Sequence, residues 1–112
     1  MTNNILLIGR LVAKPILEKT ESGHNYSIMT IAIPRNYKNT EGIYETDFID
    51  IILHNMVANN TCEYCNKGDI VGIRGRLETE YYENENGEKK KSMIVVADKV
   101  TFLSTNKNYE EE

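Results

Sequence analysis

Three rings in polar, strand-prone segments are the residues of this chain best suited to hold a ligand: Tyr37, Phe48 and Tyr82. None sits where a buried side chain is plainly needed. Rings dispersed over a β-surface can form a platform on which bases stack. Every base has a π-face, so such a platform holds a single strand with little regard to sequence. Arg35, Lys38, Arg74 and Arg76 flank the rings and Arg10 lies upstream; as a set they are the expected phosphate partners. The bland alternatives are that tyrosine fits any pleated, half-buried surface and that each cation is a solvated charge. Lys89-Lys90-Lys91 could meet a phosphate backbone or offset Glu83, Glu85 and Glu88.

Catalytic chemistry has little support. No serine, histidine and aspartate order, metal cluster or carboxylate pair stands out, so an enzyme is not expected. Cys62-x-x-Cys65 supplies two of the roughly four ligands that zinc requires. Only His24 and His54 remain to complete a set, and neither has the spacing of a common zinc motif. A redox pair needs a low-pKa thiol at a helix start, which is not the context here. Both cysteines read as small apolar residues of a short helix, and no metal or cofactor is expected. Gly68, Gly72 and Gly75 lack the spacing of a phosphate-binding loop.

The chain has 112 residues and a formal net charge of −4, of which Lys107 against Glu110, Glu111 and Glu112 accounts for −2. That balance argues against holding nucleic acid by bulk charge, although a near-neutral body can still carry a basic stripe. No stretch is apolar enough to span a membrane and the N-terminus lacks the marks of a secretory signal. The expected location is the cytoplasm, with no membrane partner. One domain is expected over residues 1–103, followed by a short, acidic, flexible tail over 104–112.

The elements that would position the rings follow from periodicity. Residues 5–12 form an apolar run that predicts a buried strand, with Gly9 at a bend or a close backbone approach. Residues 13–25 are a connection. Residues 26–33 predict a second strand with Met29, Ile31 and Ile33 on one face, ended by Pro34. Residues 35–45 predict a polar loop, which places Tyr37 off the strands. Residues 46–54 predict a third strand: Ile49, Ile51 and Leu53 turn to the core, so Phe48, Asp50, Ile52 and His54 turn outward. A weak helix is expected over 55–66, packed through Val57, Ala58, Cys62 and Cys65 and closed by Lys67-Gly68. Residues 69–82 predict a fourth strand in which Arg74 and Arg76 share a face with Tyr82. Asn86-Gly87 signals a hairpin over 83–91, and residues 92–103 predict the last strand. Five strands with one helix between the third and fourth match the all-β, five-stranded Greek-key barrel of the OB-fold.

Several segments resemble the bacterial single-stranded DNA-binding protein family. They are Asn4-Ile5-Leu6-Leu7-Ile8-Gly9-Arg10-Leu11, Tyr44-Glu45-Thr46-Asp47-Phe48-Ile49, Asn66-Lys67-Gly68-Asp69 and Gly72-Ile73-Arg74-Gly75-Arg76-Leu77. Tyr82-Glu83-Asn84 and Val95-Val96-Ala97-Asp98-Lys99-Val100 extend the match over residues 4–103. The resemblance implies an OB-fold that binds single-stranded DNA as a homotetramer in replication, recombination and repair, on the nucleoid when bound. It carries stacking roles onto Tyr37, Phe48, His54 and Tyr82, and makes residues 5–10 the candidate for a dimer contact. The chain departs from the family pattern in four places. His54 stands where a larger aromatic is usual, Asn55 and the pair Glu78 and Glu80 stand where basic residues are frequent, and Glu110-Glu111-Glu112 lacks an apolar tip. Recruitment of replication or repair proteins through such a tip is therefore not expected. Loss of basic residues also suits an accessory, primosome-type module that works mainly through protein partners.

Overall fold

Alternating apolar residues along four long strands leave each strand with one dry face, and a closed barrel buries all of those faces at once. In the computed structural model, which describes residues 1–105, the chain takes this solution. The elements are β1 (Ile5–Leu11), β2 (Glu18–Lys19), β3 (Asn25–Lys38), β4 (Tyr44–His54), α1 (Asn55–Tyr64), β5 (Ile70–Glu83) and β6 (Lys89–Ser104). They form one sheet in the order β1-β5-β6-β4-β3-β2, and pairing of β1 with β3 closes it. The β4–β6 contact is parallel and confined to Ile51↔Val95 and Ile52↔Val96. This is the expected OB-fold barrel. The two-residue β2, which the sequence reads as part of a connection, pairs with β3; with it counted, the helix follows the fourth strand.

The core is what the alternation predicts. Met29, Ile31, Ile51, Leu53, Val71 and Ile73 are all at most 2% exposed. Each such side chain stabilises the fold by about 1.5–3 kcal/mol. α1 seals the barrel through Ala58 and Thr61, both buried. Its last carbonyls are satisfied by Lys14, whose Nζ donates to the Cys62 and Cys65 oxygens at 3.2 and 3.1 Å. Cys62 and Cys65 are free thiols, and burial pushes the Cys65 thiol pKa up, with Asp69 adding to it. A protonated, buried thiol is inert.

Two glycines are dictated by space. A Cβ on Gly9 would lie 2.9 Å from the Ala32 oxygen, so β1 approaches β3 there as the sequence suggests. A Cβ on Gly75 would lie 2.1 Å from the Val96 oxygen, beside a register shift between Arg74 and Gly75.

Both hairpins differ from expectation in extent. β3 does not stop at Pro34 but runs on to Lys38, with an irregularity between Pro34 and Lys38. Proline is tolerated because β1 pairs with β3 only at Ala32 and Ile31, so no neighbour on that side requires its missing N–H. Residues 35–38 and 44–45 are therefore strand. The two turns share one chemistry. Asn39 Oδ1 accepts from the Glu41 and Ile43 amides at 2.8 and 3.0 Å. Asn84 Oδ1 accepts from the Asn86 and Glu88 amides at 3.0 and 2.9 Å. Gly42 and Gly87 follow at φ of 80° and 76°. β6 runs through Ser104, and from residue 106 onward the acidic segment expected as a tail lies outside the described residues.

Candidate nucleic-acid interface

Register places three of the named residues side by side. Arg10 of β1 pairs with Ala32 of β3, and Ala32 pairs with Phe48 of β4. Directly opposed residues lie about 4.5–5.5 Å apart. The small Ala32 leaves a depression between the Phe48 ring and Arg10. This groove, about 460 Å³, is also bordered by Ile8, Pro34 and Thr46. A second groove of about 440 Å³ opens on another side of Phe48, along Ile28, Ile52, Met93 and Glu80. Phe48 thus borders both grooves and is 67% exposed. A large apolar ring held out to water on a sheet face has no packing explanation.

The remaining aromatics extend the surface in two directions. Strand parity carries Tyr44, Phe48 and His54 on one face of β4, spaced by roughly 13 and 20 Å at 3.3 Å per residue. Across the first hairpin, Lys38 pairs with Tyr44, and its Nζ lies 5.6 Å from the Tyr44 ring centroid. Tyr37 stands within the strand irregularity between Pro34 and Lys38, exposed, with the Arg35 guanidinium 5.9 Å from its ring centroid. On the second hairpin, Tyr81 and Tyr82 are both exposed and line a depression of about 360 Å³ with Lys89. Tyr82 pairs with Lys90, and Tyr81 with Lys91. Tyr44 and Tyr81 are not among the residues the sequence singles out. Tyr44 was legible from its parity with Phe48, and Tyr81 from the tyrosine doublet.

His54 is exposed at the end of β4, but its ring is engaged. Its Nδ1 lies 3.1 Å from Nε2 of His24, and the two rings are 5.2 Å apart at a 41° tilt. A base stacking on His54 would therefore meet a pair of imidazoles.

The structure does not treat the expected phosphate partners alike. Arg35 forms a bidentate pair with Asp47, through Nε to Oδ2 at 3.1 Å and Nη2 to Oδ1 at 2.9 Å. Glu45 adds a contact at 3.6 Å. The hydrogen bond to Asp47 raises the Arg35 pKa, and the same bond holds the Asp47 carboxyl below its ordinary range. Arg76 is bound by Glu78 at 2.8 Å and by Asp98, with the Glu78 bond the main cause of its raised pKa. Arg10 donates to the Gly68 oxygen at 3.1 Å. Arg74 is exposed but lies apart from the rings, in a groove with Leu6, Ile8, Lys99 and Leu103. The register shift at Arg74/Gly75 places its extra residue, Asp98, on β6, so Arg74 and Arg76 keep the common outward face that alternation predicts, with Arg76 held in ion pairs.

A larger groove of about 700 Å³ lies elsewhere, between the β1–β2 connection and α1, lined by Ile16, Leu17 and Cys62 among others. It holds none of the exposed rings. Among the described residues no group of three or more His, Cys, Asp or Glu is placed to hold a metal ion. No helix among them is long and apolar enough to cross a membrane.

Residues 2–103 match the single-strand binding protein family. Single-stranded DNA-binding protein 1 of Staphylococcus aureus strain MSSA476 is 42% identical over 103 residues, covering 92% of this chain. The chain spans 66% of the length of that relative, just under two thirds. Single-stranded DNA-binding protein B of Bacillus subtilis strain 168 is 40% identical over 103 residues, covering 92% of this chain and 91% of the relative. Single-stranded DNA-binding protein 2 of Staphylococcus aureus strain COL is 38% identical over 108 residues, covering 96% and 78%.

Proposed function

This chain belongs to the single-strand binding protein family, and from that premise we propose that it binds single-stranded DNA by stacking bases on exposed rings, with little sequence preference. The observation that carries the mechanism is Phe48: a two-thirds exposed ring on the outer face of the barrel, bordering two grooves and in register with Ala32 and Arg10. One strand would run over Phe48 and reach Tyr37 and Tyr44 on one hairpin, Tyr81 and Tyr82 on the other, and His54 at the far end of β4. Each stacked base is worth roughly 1–3 kcal/mol. Lys38, Arg10 and Lys89-Lys90-Lys91 would follow the phosphates. The role is protective and non-catalytic, in replication, recombination and repair. Leu6 and Ile8 are exposed on β1 beside Leu103; we assign this apolar strip to contact between copies of the chain in a homotetramer.

The test uses the protein's own fluorescence, because the chain has seven tyrosines and no tryptophan. Adding oligothymidine should quench the tyrosine emission saturably, while a duplex of equal length should not. Equal affinity for both would sink the proposal. A second reading, an accessory module that acts mainly through protein partners, is favoured by Glu80, which borders the groove beside Phe48, and by the ion-paired Arg76. It predicts weak DNA binding that Tyr82→Ala leaves unchanged.

A further inference from the structure

Two of the expected phosphate partners sit in ion pairs that are placed oddly for stability. Arg35 and Asp47 keep 36% and 44% of their side chains in solvent, and Arg76 and Asp98 keep 40% and 48%. Exposed pairs of this kind contribute little to folding. Yet each occupies a cation that a nucleic-acid phosphate would otherwise take, and Arg35 lies next to the Tyr37 ring. The same arrangement occurs on two hairpins that are distant in sequence: Arg35 with Asp47 and Glu45 on the first, Arg76 with Glu78 and Asp98 on the second.

The geometry points to Asp47, and in parallel Glu78 and Asp98, as determinants that make binding selective for single strands and weakly dependent on salt. The inference rests on the proposed single-strand binding. A phosphate that takes Arg35 must displace Asp47, whose carboxylate is then left unpaired beside the DNA and must recruit a cation from solution. That uptake offsets the counterions the DNA releases, so Arg35 adds almost nothing to the salt slope. A free arginine would add about −0.7 to the slope of log K against log salt for a single strand. The carboxylates also discriminate. A single strand compensates for them by stacking, whereas a duplex hides its base faces, carries denser phosphate charge and meets these carboxylates with no stacking to offset them. Neutralised arginines thus keep the stacking surface and remove the charge that would attract any nucleic acid.

The experiment compares the native protein, Asp47→Asn and the double variant Asp47→Asn/Arg35→Gln. Binding of labelled oligothymidine and of a duplex of equal length is titrated from 50 to 200 mM NaCl, with thermal melting to establish that each variant is folded. Asp47→Asn should bind both ligands more tightly at 50 mM, the duplex by the larger factor, and an equal gain for the two would overturn the claim of selectivity. Its oligothymidine affinity should fall about 2.6-fold further than the native protein's over that range, the change a slope difference of 0.7 gives for a fourfold rise in salt. The gain should vanish in the double variant. A folded Asp47→Asn protein with unchanged slope and unchanged duplex affinity, or with weaker binding, overturns the inference. If the native protein binds no oligothymidine at all, the proposed function itself fails, a different result from equal slopes in two proteins that both bind.

Discussion

Replacing Phe48 with alanine separates function from stability. The ring is 67% exposed, so about a third of its surface touches the protein. Complete burial of such a ring involves about 150–250 Å², which puts about 50–80 Å² at stake here. At about 25 cal/mol per Å² that is about 1–2 kcal/mol of folding stability, an upper value because the unfolded chain already buries part of it. The core residue Ile51, next but two along the same strand and fully buried, would cost about 2–5 kcal/mol on truncation. Against that modest loss, removing one stacking ring should weaken DNA binding by about 1–3 kcal/mol, a factor of about 5 to 150 in Kd. Fluorescence anisotropy of labelled oligothymidine gives the affinity, and urea denaturation without DNA gives the stability. A folded Phe48→Ala protein that binds within twofold of native would refute the stacking role and reduce Phe48 to a surface residue.

Other consequences are as direct. His54→Tyr should raise oligothymidine affinity by roughly 2- to 10-fold, since a phenol ring offers more stacking area than imidazole and gives up the His24 contact; a lower affinity in the same titration would count against a base at this site. Gly75→Ala should destabilise the fold by about 1–3 kcal/mol, because its new Cβ meets the Val96 oxygen, and a urea midpoint equal to native would contradict that packing. Asn84→Ala removes both turn bonds and should cost about 1 kcal/mol in the same assay, no change being the adverse result. The Arg35 hydrogen bond lowers the Asp47 pKa below its ordinary 3.8, so the pair's contribution is complete above that value and is lost as pH falls through the lower, native one. An NMR titration of the Asp47 carboxyl with a midpoint at or above 3.8 would show that the pair does not persist in solution.

Much of the barrel was legible from strand period alone. Ile49, Ile51 and Leu53 on one face force Phe48 and His54 to the other, because successive side chains on a strand point to opposite sides; that argument needs no partner strand. Asn86-Gly87 marked the second turn for a similarly local reason. Pro34 misled the reading of Tyr37 because proline ends a strand only where a neighbour requires its N–H, and whether one does depends on where β1 stops.

The charges around the rings were beyond the sequence for a different reason. Arg35 and Asp47 are 12 residues apart, Arg76 and Asp98 are 22 apart, and His24 and His54 are 30 apart. Each pair exists because two strands adjoin in one register, and an ion pair fades within a few ångströms of misplacement. The sequence by itself determined which side chains of a strand share a face, because backbone geometry fixes that one strand at a time. Only the tertiary structure decided that Arg35 and Arg76 are already ion-paired, because register belongs to the closed barrel as a whole.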